Sequence, residues 1–244
     1  MLVKIQKNYK ELSEKAAEIL IKEISKNPSI VICFATGSTP PGMYKKLVLA
    51  YKKKKIRFSG ITSFNLDEYY KIKRKDKNSY CYYMHKILFD KINIKNKNIN
   101  FLNGEAKNYK KECENYEKKI NDKPIDIQIL GVGVNGHIAF NEPGSKFNSK
   151  TRLVRLSQET IKANSRFFKN KKSMPKKALT MGISTIKKAK KIILLASGEK
   201  KAEAIFHLVK GNLDEKWPLT SLKNHNNLVV IIDKKAASLI LKKL

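Results

Sequence analysis

Cysteine is scarce in this sequence. The three residues present, Cys33, Cys81 and Cys113, are an odd number with no C-x-x-C pair, which argues against a secreted disulfide framework. Cys33 lies inside the apolar run Val31-Ile-Cys-Phe, and Cys113 shares a helical stripe with Tyr109, Tyr116 and Ile120; both read as core residues. The longest apolar runs, such as Ile30 to Ala35 and Ile192 to Ala196, fall far short of the ~18 residues of a membrane span. The first eight residues, Met-Leu-Val-Lys-Ile-Gln-Lys-Asn, lack the apolar stretch of a signal peptide. A protein with no membrane partner, working in the cytoplasm, is expected. Only four histidines occur, with no H-E-x-x-H or H-x-H pair, so no metal site is expected.

Acids and arginines are the other shortages. Lys and Arg total 52 against 21 Asp and Glu, a net charge of +31 with a pI near 10.0, the footprint of a nucleic-acid binder. Yet the arginines are only Arg57, Arg74, Arg152, Arg155 and Arg166, and the lysines are scattered along the chain. No RNP-like aromatic motif, helix-turn-helix signature or Cys/His finger accompanies them. Arginine is the preferred residue for bidentate recognition of bases and phosphates. Specific nucleic-acid binding is therefore not expected, whereas weak, salt-sensitive attraction of anions is.

Hydrophobic residues at 41% and charged residues at 30% describe a globular chain. Apolar runs that do not alternate, at residues 30–35, 61–66, 125–130, 191–196 and 228–232, are separated by segments with helical spacing, such as Leu12, Ala16, Leu20 and Ile24. Pro175 to Ala189 also reads as helix, and Thr151 to Leu156 as a strand. This order predicts an α/β fold with a mainly parallel sheet and helices on both faces. No repeat or linker divides the chain, so residues 1–244 form one domain. Ligands of such sheets sit beyond the carboxyl ends of the strands, which directs attention to the loops after Ala35, Leu66, Leu130 and Ala196.

The first loop, Thr36-Gly37-Ser38-Thr39-Pro40-Pro41, joins a buried strand to a helix. Gly37 permits close backbone approach, the hydroxyls of Ser38 and Thr39 can donate, and the helix start favours an anion; an ordinary capped turn is the other reading. The second, Asp67-Glu68-Tyr69, has adjacent acids that point to opposite sides of a strand. One suits a base in the cleft and the other a structural ion pair, although a solvated turn has the same composition. The third, Gly131-Val-Gly133-Val-Asn135-Gly136-His137, continues through Asn141-Glu142-Pro143-Gly144. Its literal G-x-G-x-x-G fails as a dinucleotide fingerprint, because Pro143 follows closely and arginines dominate the next strand. What it offers is a histidine bracketed by Asn135 and Glu142, suited to proton exchange near neutral pH. Arg166, in an aromatic setting, and Lys201, at a strand-to-helix turn, are the cations placed to clamp a phosphate.

The ordered motifs Thr36-Gly-Ser-Thr-Pro, Phe64-Asn-Leu-Asp-Glu-Tyr, Gly136-His-Ile-Ala-Phe-Asn-Glu-Pro and Asn164-Ser-Arg-Phe-Phe resemble those of the glucosamine-6-phosphate deaminase family over nearly the whole chain. The related 6-phosphogluconolactonases continue their Gly-His element differently, with Ser-Leu-Phe-Pro where this chain has Phe140-Asn-Glu-Pro. The resemblance implies a modified Rossmann-like fold and reversible conversion of glucosamine 6-phosphate to fructose 6-phosphate and ammonia, without cofactor or metal. It implies a hydrolase of amino sugar metabolism. Asp67 would be the base that moves a proton between C2 and C1, while His137 and Glu142, with Asn135, would open the pyranose ring. Gly37, Ser38, Thr39, Arg166 and Lys201 would hold the sugar phosphate under a lid at about 156–179. Some family members carry Asp where this chain has Asn135, which shifts the charge burden to Glu142. Allosteric members use two cations on the strand after Asn-Glu-Pro; Arg152 matches one, but Val154 stands at the other. Self-association into a homo-oligomer is compatible with the resemblance. A related sugar-phosphate hydrolase or isomerase, lactonase-like in activity, and a non-catalytic sugar-phosphate sensor are the competing readings.

Overall fold

A computed structural model describes residues 1–165, 168 and 174–241. Seven strands form the main sheet: β1 (Leu2–Gln6), β2 (Val31–Phe34), β3 (Thr62–Asn65), β5 (Ile99–Asn100), β6 (Ile127–Gly131), β9 (Lys191–Ala196) and β10 (Leu228–Asp233). Their order is β1-β10-β9-β6-β2-β3-β5, and every pairing is parallel. Consecutive residues of β9 and β10 are buried. Since neighbours on a strand point to opposite faces, both faces of the sheet are covered.

The helices are α1 (Tyr9–Lys26), α2 (Pro41–Lys52), α3 (Tyr80–Ile87), α4 (Tyr109–Asp122), α5 (Gln158–Asn164), α6 (Ile183–Lys187), α7 (Ala202–Val209) and α8 (Ser238–Leu241). Polar caps fix their starts. Asn8 accepts from the N–H of Glu11, and Glu11 reaches back to the N–H of Lys7, a reciprocal pair that satisfies two backbone donors. Ser79, Asn108 and Ser157 each accept from a backbone N–H in the first turn of α3, α4 and α5. The Leu12, Ala16, Leu20 and Ile24 face of α1 is buried, as its spacing predicts. None of the described helices is long and apolar enough to cross a membrane.

Two expectations need correction. Beside the main sheet stands a three-stranded antiparallel sheet, in the order β4 (Asp67–Tyr69), β8 (Lys177–Thr180), β7 (Arg152–Arg155). The predicted helix over Pro175 to Ala189 is thus strand β8 followed by the short α6. Ala178 and Leu179 are fully buried, and the segment finds hydrogen-bonding strands on both sides, which outweighs its local helical spacing. The far end of the expected lid, residues 177–179, belongs to this sheet. A second apolar cluster of Tyr69, Ile72, Phe140, Leu156, Phe168, Met174 and Ala178 accompanies it.

The chain passes from the main sheet to the small one at Leu66. Its carbonyl accepts from the N–H of Met181 at 2.8 Å, and Asp67 opens β4 immediately beyond. The small sheet is fastened by Glu117 of α4, which accepts from the N–H of Thr151 at 2.9 Å, from the Thr151 hydroxyl at 2.6 Å and from the Thr185 hydroxyl.

Candidate active site

The loops that follow β2, β3, β6 and β9, four adjacent strands, surround one cleft with a cavity volume of about 280 Å³. Gly37, Ser38, Thr39, Asp67, Asn135, His137 and Lys201 all line it. Glu142 stands behind His137 instead of on the wall. Arg166 lies outside the described residues.

Gly37 adopts a φ of +97°, a left-handed conformation that glycine tolerates without strain. The loop is held from outside by two tyrosines: Tyr83 donates to the Gly37 carbonyl at 2.8 Å and Tyr9 to that of Thr39 at 2.9 Å. Pro40 and Pro41 begin α2 with no side-chain cap, so the hydroxyls of Ser38 and Thr39 and the positive end of the helix remain directed to a ligand.

The two adjacent acids divide their work. Glu68 is 2% exposed and accepts from the N–H groups of Tyr69, Tyr80 and Cys81 at 2.9, 3.0 and 2.9 Å. It caps the start of α3 through backbone donors, in place of the expected ion pair. Burial raises its pKa to about 7 against the lowering effect of those donors. Asp67, 6% exposed, accepts no hydrogen bond among the described residues. Burial first, and the Glu68 charge second, push its pKa well above the usual carboxylate range. A carboxyl so placed is a strong base once ionised.

The glycines of the third loop serve the histidine. A Cβ on Gly133 would stand 2.2 Å from His137 Nδ1, and one on Gly136, whose φ is +78°, would stand 2.6 Å from the Trp217 ring. Asn135 Oδ1 accepts from the His137 backbone N–H at 3.3 Å and lies 2.8 Å from Nδ1. Glu142 Oε2 is 3.5 Å from the same Nδ1. Its carboxylate also accepts from Asn135 Nδ2 at 3.0 Å and from the Thr160 hydroxyl at 2.5 Å. Burial favours its neutral form, but the bond to His137, the imidazolium charge and the Thr160 and Asn135 donors prevail and hold its pKa at about 2. With Nδ1 facing two acceptors, Nε2 is the ring nitrogen left free for a ligand.

Lys201 completes the wall. Its ammonium makes no hydrogen bond or ion pair among the described residues, and burial lowers its pKa to about 8. A half-buried ammonium with no counterion among the described residues is a ready partner for an anion. Sequence reasoning missed Tyr80 and the α5 residues Glu159, Thr160 and Asn164, which also line the cleft. Nothing local marks which side of a seven-residue helix faces a ligand. No cluster of residues suited to a metal occurs among the described residues.

Known proteins resemble this chain over nearly its whole length. A glucosamine-6-phosphate deaminase of Clostridium novyi (strain NT) is 52% identical over 233 residues, covering 95% of this chain and 97% of the relative. One of Thermoanaerobacter sp. (strain X514) is 51% identical over 241 residues, covering 98% and 95%. The structure of a monomeric glucosamine-6-phosphate deaminase, 44% identical, superposes with a TM-score of 0.95 over 98% of this chain and 100% of that one. The 6-phosphogluconolactonase of Trypanosoma brucei matches with a TM-score of 0.79 over 98% of both chains, but at 19% identity it shares the fold alone. These findings overturn the expected hydrolase class: the near relatives are deaminases, and the lactone-cleaving proteins are distant. Residues 5–231 match the model of the family described as glucosamine-6-phosphate isomerases/6-phosphogluconolactonase, and with half-identical relatives along its whole length the chain belongs to that family.

Proposed function

We propose that this protein is a glucosamine-6-phosphate deaminase, converting glucosamine 6-phosphate reversibly to fructose 6-phosphate and ammonia. The observation that carries the reading is a single cleft holding a buried carboxyl and an ammonium, both without a partner among the described residues, beside a pre-oriented imidazole. Lys201, the hydroxyls of Ser38 and Thr39 and the start of α2 take the phosphate, with Arg166 as a second cation. Fixing the phosphate at one end places the sugar carbons against Asp67 and His137.

His137 accepts the proton of the C1 hydroxyl at Nε2 and delivers it to the ring oxygen as the bond between C1 and that oxygen breaks, so the ring opens and His137 returns to neutral. Glu142 stabilises the imidazolium that forms. Asp67, drawn to its ionised form by the substrate ammonium, removes the C2 proton to give an enolamine and returns a proton to C1. Water adds at C2 of the resulting imine, and ammonia departs. Every group this needs is a side chain, the substrate or water, so no cofactor or metal is invoked. A phosphorylated sugar is confined by membranes, which favours the cytoplasm as the place of reaction. The match to a protein described as monomeric supports a cleft that works within one chain.

Ammonia release from glucosamine 6-phosphate by the purified protein, treated with chelator and free of nicotinamide, tests the reading. Stoichiometric ammonia and fructose 6-phosphate are expected. Sugar-phosphate binding without turnover, or cleavage of 6-phosphogluconolactone in its place, would overturn it.

A further inference from the structure

The amide of Asn135 is the least determined group in the cleft by its own chemistry, since its oxygen and nitrogen differ only in what faces them. Here both partners of Nδ2 are carboxylates: Glu142 Oε2 at 3.0 Å and Glu159 Oε2 at 3.2 Å. A carboxylate can only accept, so the NH2 must face the two acids and Oδ1 must face His137. The backbone N–H of His137 agrees, donating to the same oxygen. The proton of neutral His137 is thereby held on Nδ1, and a lone pair is left on Nε2.

Glu159 differs from the rest of this network in origin. Asn135, His137 and Glu142 share one loop, whereas Glu159 stands in the first turn of α5, beyond β7. Its neighbour Thr160 donates to Glu142. Two consecutive residues of one helical turn thus grip the two groups that flank the imidazole. Glu159 is itself exposed.

We propose that Glu159 is a positioning residue for ring opening, acting through the Asn135 amide to lock the tautomer of His137. This rests on the deaminase reading for its kinetic consequence and on geometry alone for the tautomer. Were Glu159 absent, Asn135 would keep one carboxylate partner, and the amide could turn to offer NH2 to His137 Nδ1. That orientation shifts the imidazole proton to Nε2, where it blocks acceptance of the C1 hydroxyl proton. A chain with Asp in place of Asn135 would have no amide to orient, so this device belongs to the Asn form of the loop.

The experiment compares Glu159→Ala with Glu159→Gln. Nitrogen chemical shifts of His137 in the substrate-free protein report the tautomer. The wild type should show the proton on Nδ1, and Glu159→Ala a mixture. Turnover of the closed sugar should fall about tenfold, the scale of one hydrogen bond to a charged group, with KM little changed. Exchange of the C2 proton in a substrate unable to cyclise should stay within twofold, which a general loosening of the cleft would not allow. Glu159→Gln keeps an oxygen that accepts from Asn135 and should restore most of the rate. An unchanged His137 tautomer in Glu159→Ala, or a Gln variant as impaired as the Ala variant, would overturn the proposal. Failure of the wild type to release ammonia would refute the deaminase reading instead and leave the tautomer measurement standing.

Discussion

Asp67 is a group whose function and stability oppose each other. Its folded pKa lies above the unfolded value, so it adds stability only while protonated. That contribution is complete below about pH 4 and is lost as the pH climbs through the folded value. Asp67→Asn removes the base and should lower kcat by about 10² to 10⁴. The same variant should be more stable than the wild type, by a margin that grows from pH 4 to pH 8. Denaturant unfolding at the two pH values checks this; an equal margin at both would show that Asp67 is not the desolvated group described. Lys201 gives a second pH signature. With its pKa at about 8, the free ammonium is lost above that value, so a non-reacting sugar phosphate should bind progressively more weakly in the alkaline range. Lys201→Arg, charged throughout, should flatten that limb in calorimetric titrations, whatever it does to affinity at pH 7.

At the scale of elements, the two sheets meet through apolar packing and through Glu117. Burial raises the pKa of this carboxyl, but the donors from Thr151 and Thr185 and the nearby Lys188 outweigh it, and the net shift is downward. Glu117→Ala leaves one N–H and two hydroxyls without their acceptor. The expected loss is about 2–3 kcal/mol of unfolding free energy, read from the denaturant midpoint, with kcat at 25 °C nearly unchanged. A loss under about 0.5 kcal/mol would mean that apolar contact alone holds the small sheet. The buried strands and the apolar face of α1 were legible locally, because their signals lie within a few residues. Strand β8 was not, because its partners, Asp67–Tyr69 and Arg152–Arg155, are distant in sequence and only pairing reveals its register.

For the whole molecule, the charge of +31 is a repulsion that the fold must overcome. Raising sodium chloride from about 20 to 500 mM crosses Debye lengths from about 20 Å to 4 Å and should raise the melting temperature. A fall would show that specific ion pairs outweigh the repulsion. Neutralising Lys52 to Lys55 should leave kinetics near wild type, since all four are exposed and none lines the cleft. Saturation by glucosamine 6-phosphate should be hyperbolic. The Arg152 guanidinium donates to buried Asn141 at 2.8 Å, and Val154 packs on the second apolar cluster, so neither is offered to an anionic effector. A sigmoidal curve made hyperbolic by N-acetylglucosamine 6-phosphate would contradict this.

The sequence by itself determined the strand-helix order, the loops that matter and the residue types for acid-base work and phosphate holding. These follow from short-range chemistry: apolar runs, caps, and a histidine set among glycines. Only the tertiary structure showed how the surroundings of Asp67 and Glu68 differ. Three backbone N–H groups of β4 and α3 claim Glu68, and Asp67, one residue earlier, lines the cleft with no partner among the described residues. It also explained the glycines, as room for the His137 and Trp217 rings, and it brought Glu159 and Thr160 to Asn135 and Glu142. Those decisions depend on which elements meet in space, and the sheet order that brings four loops together is set by burial and pairing over the whole chain.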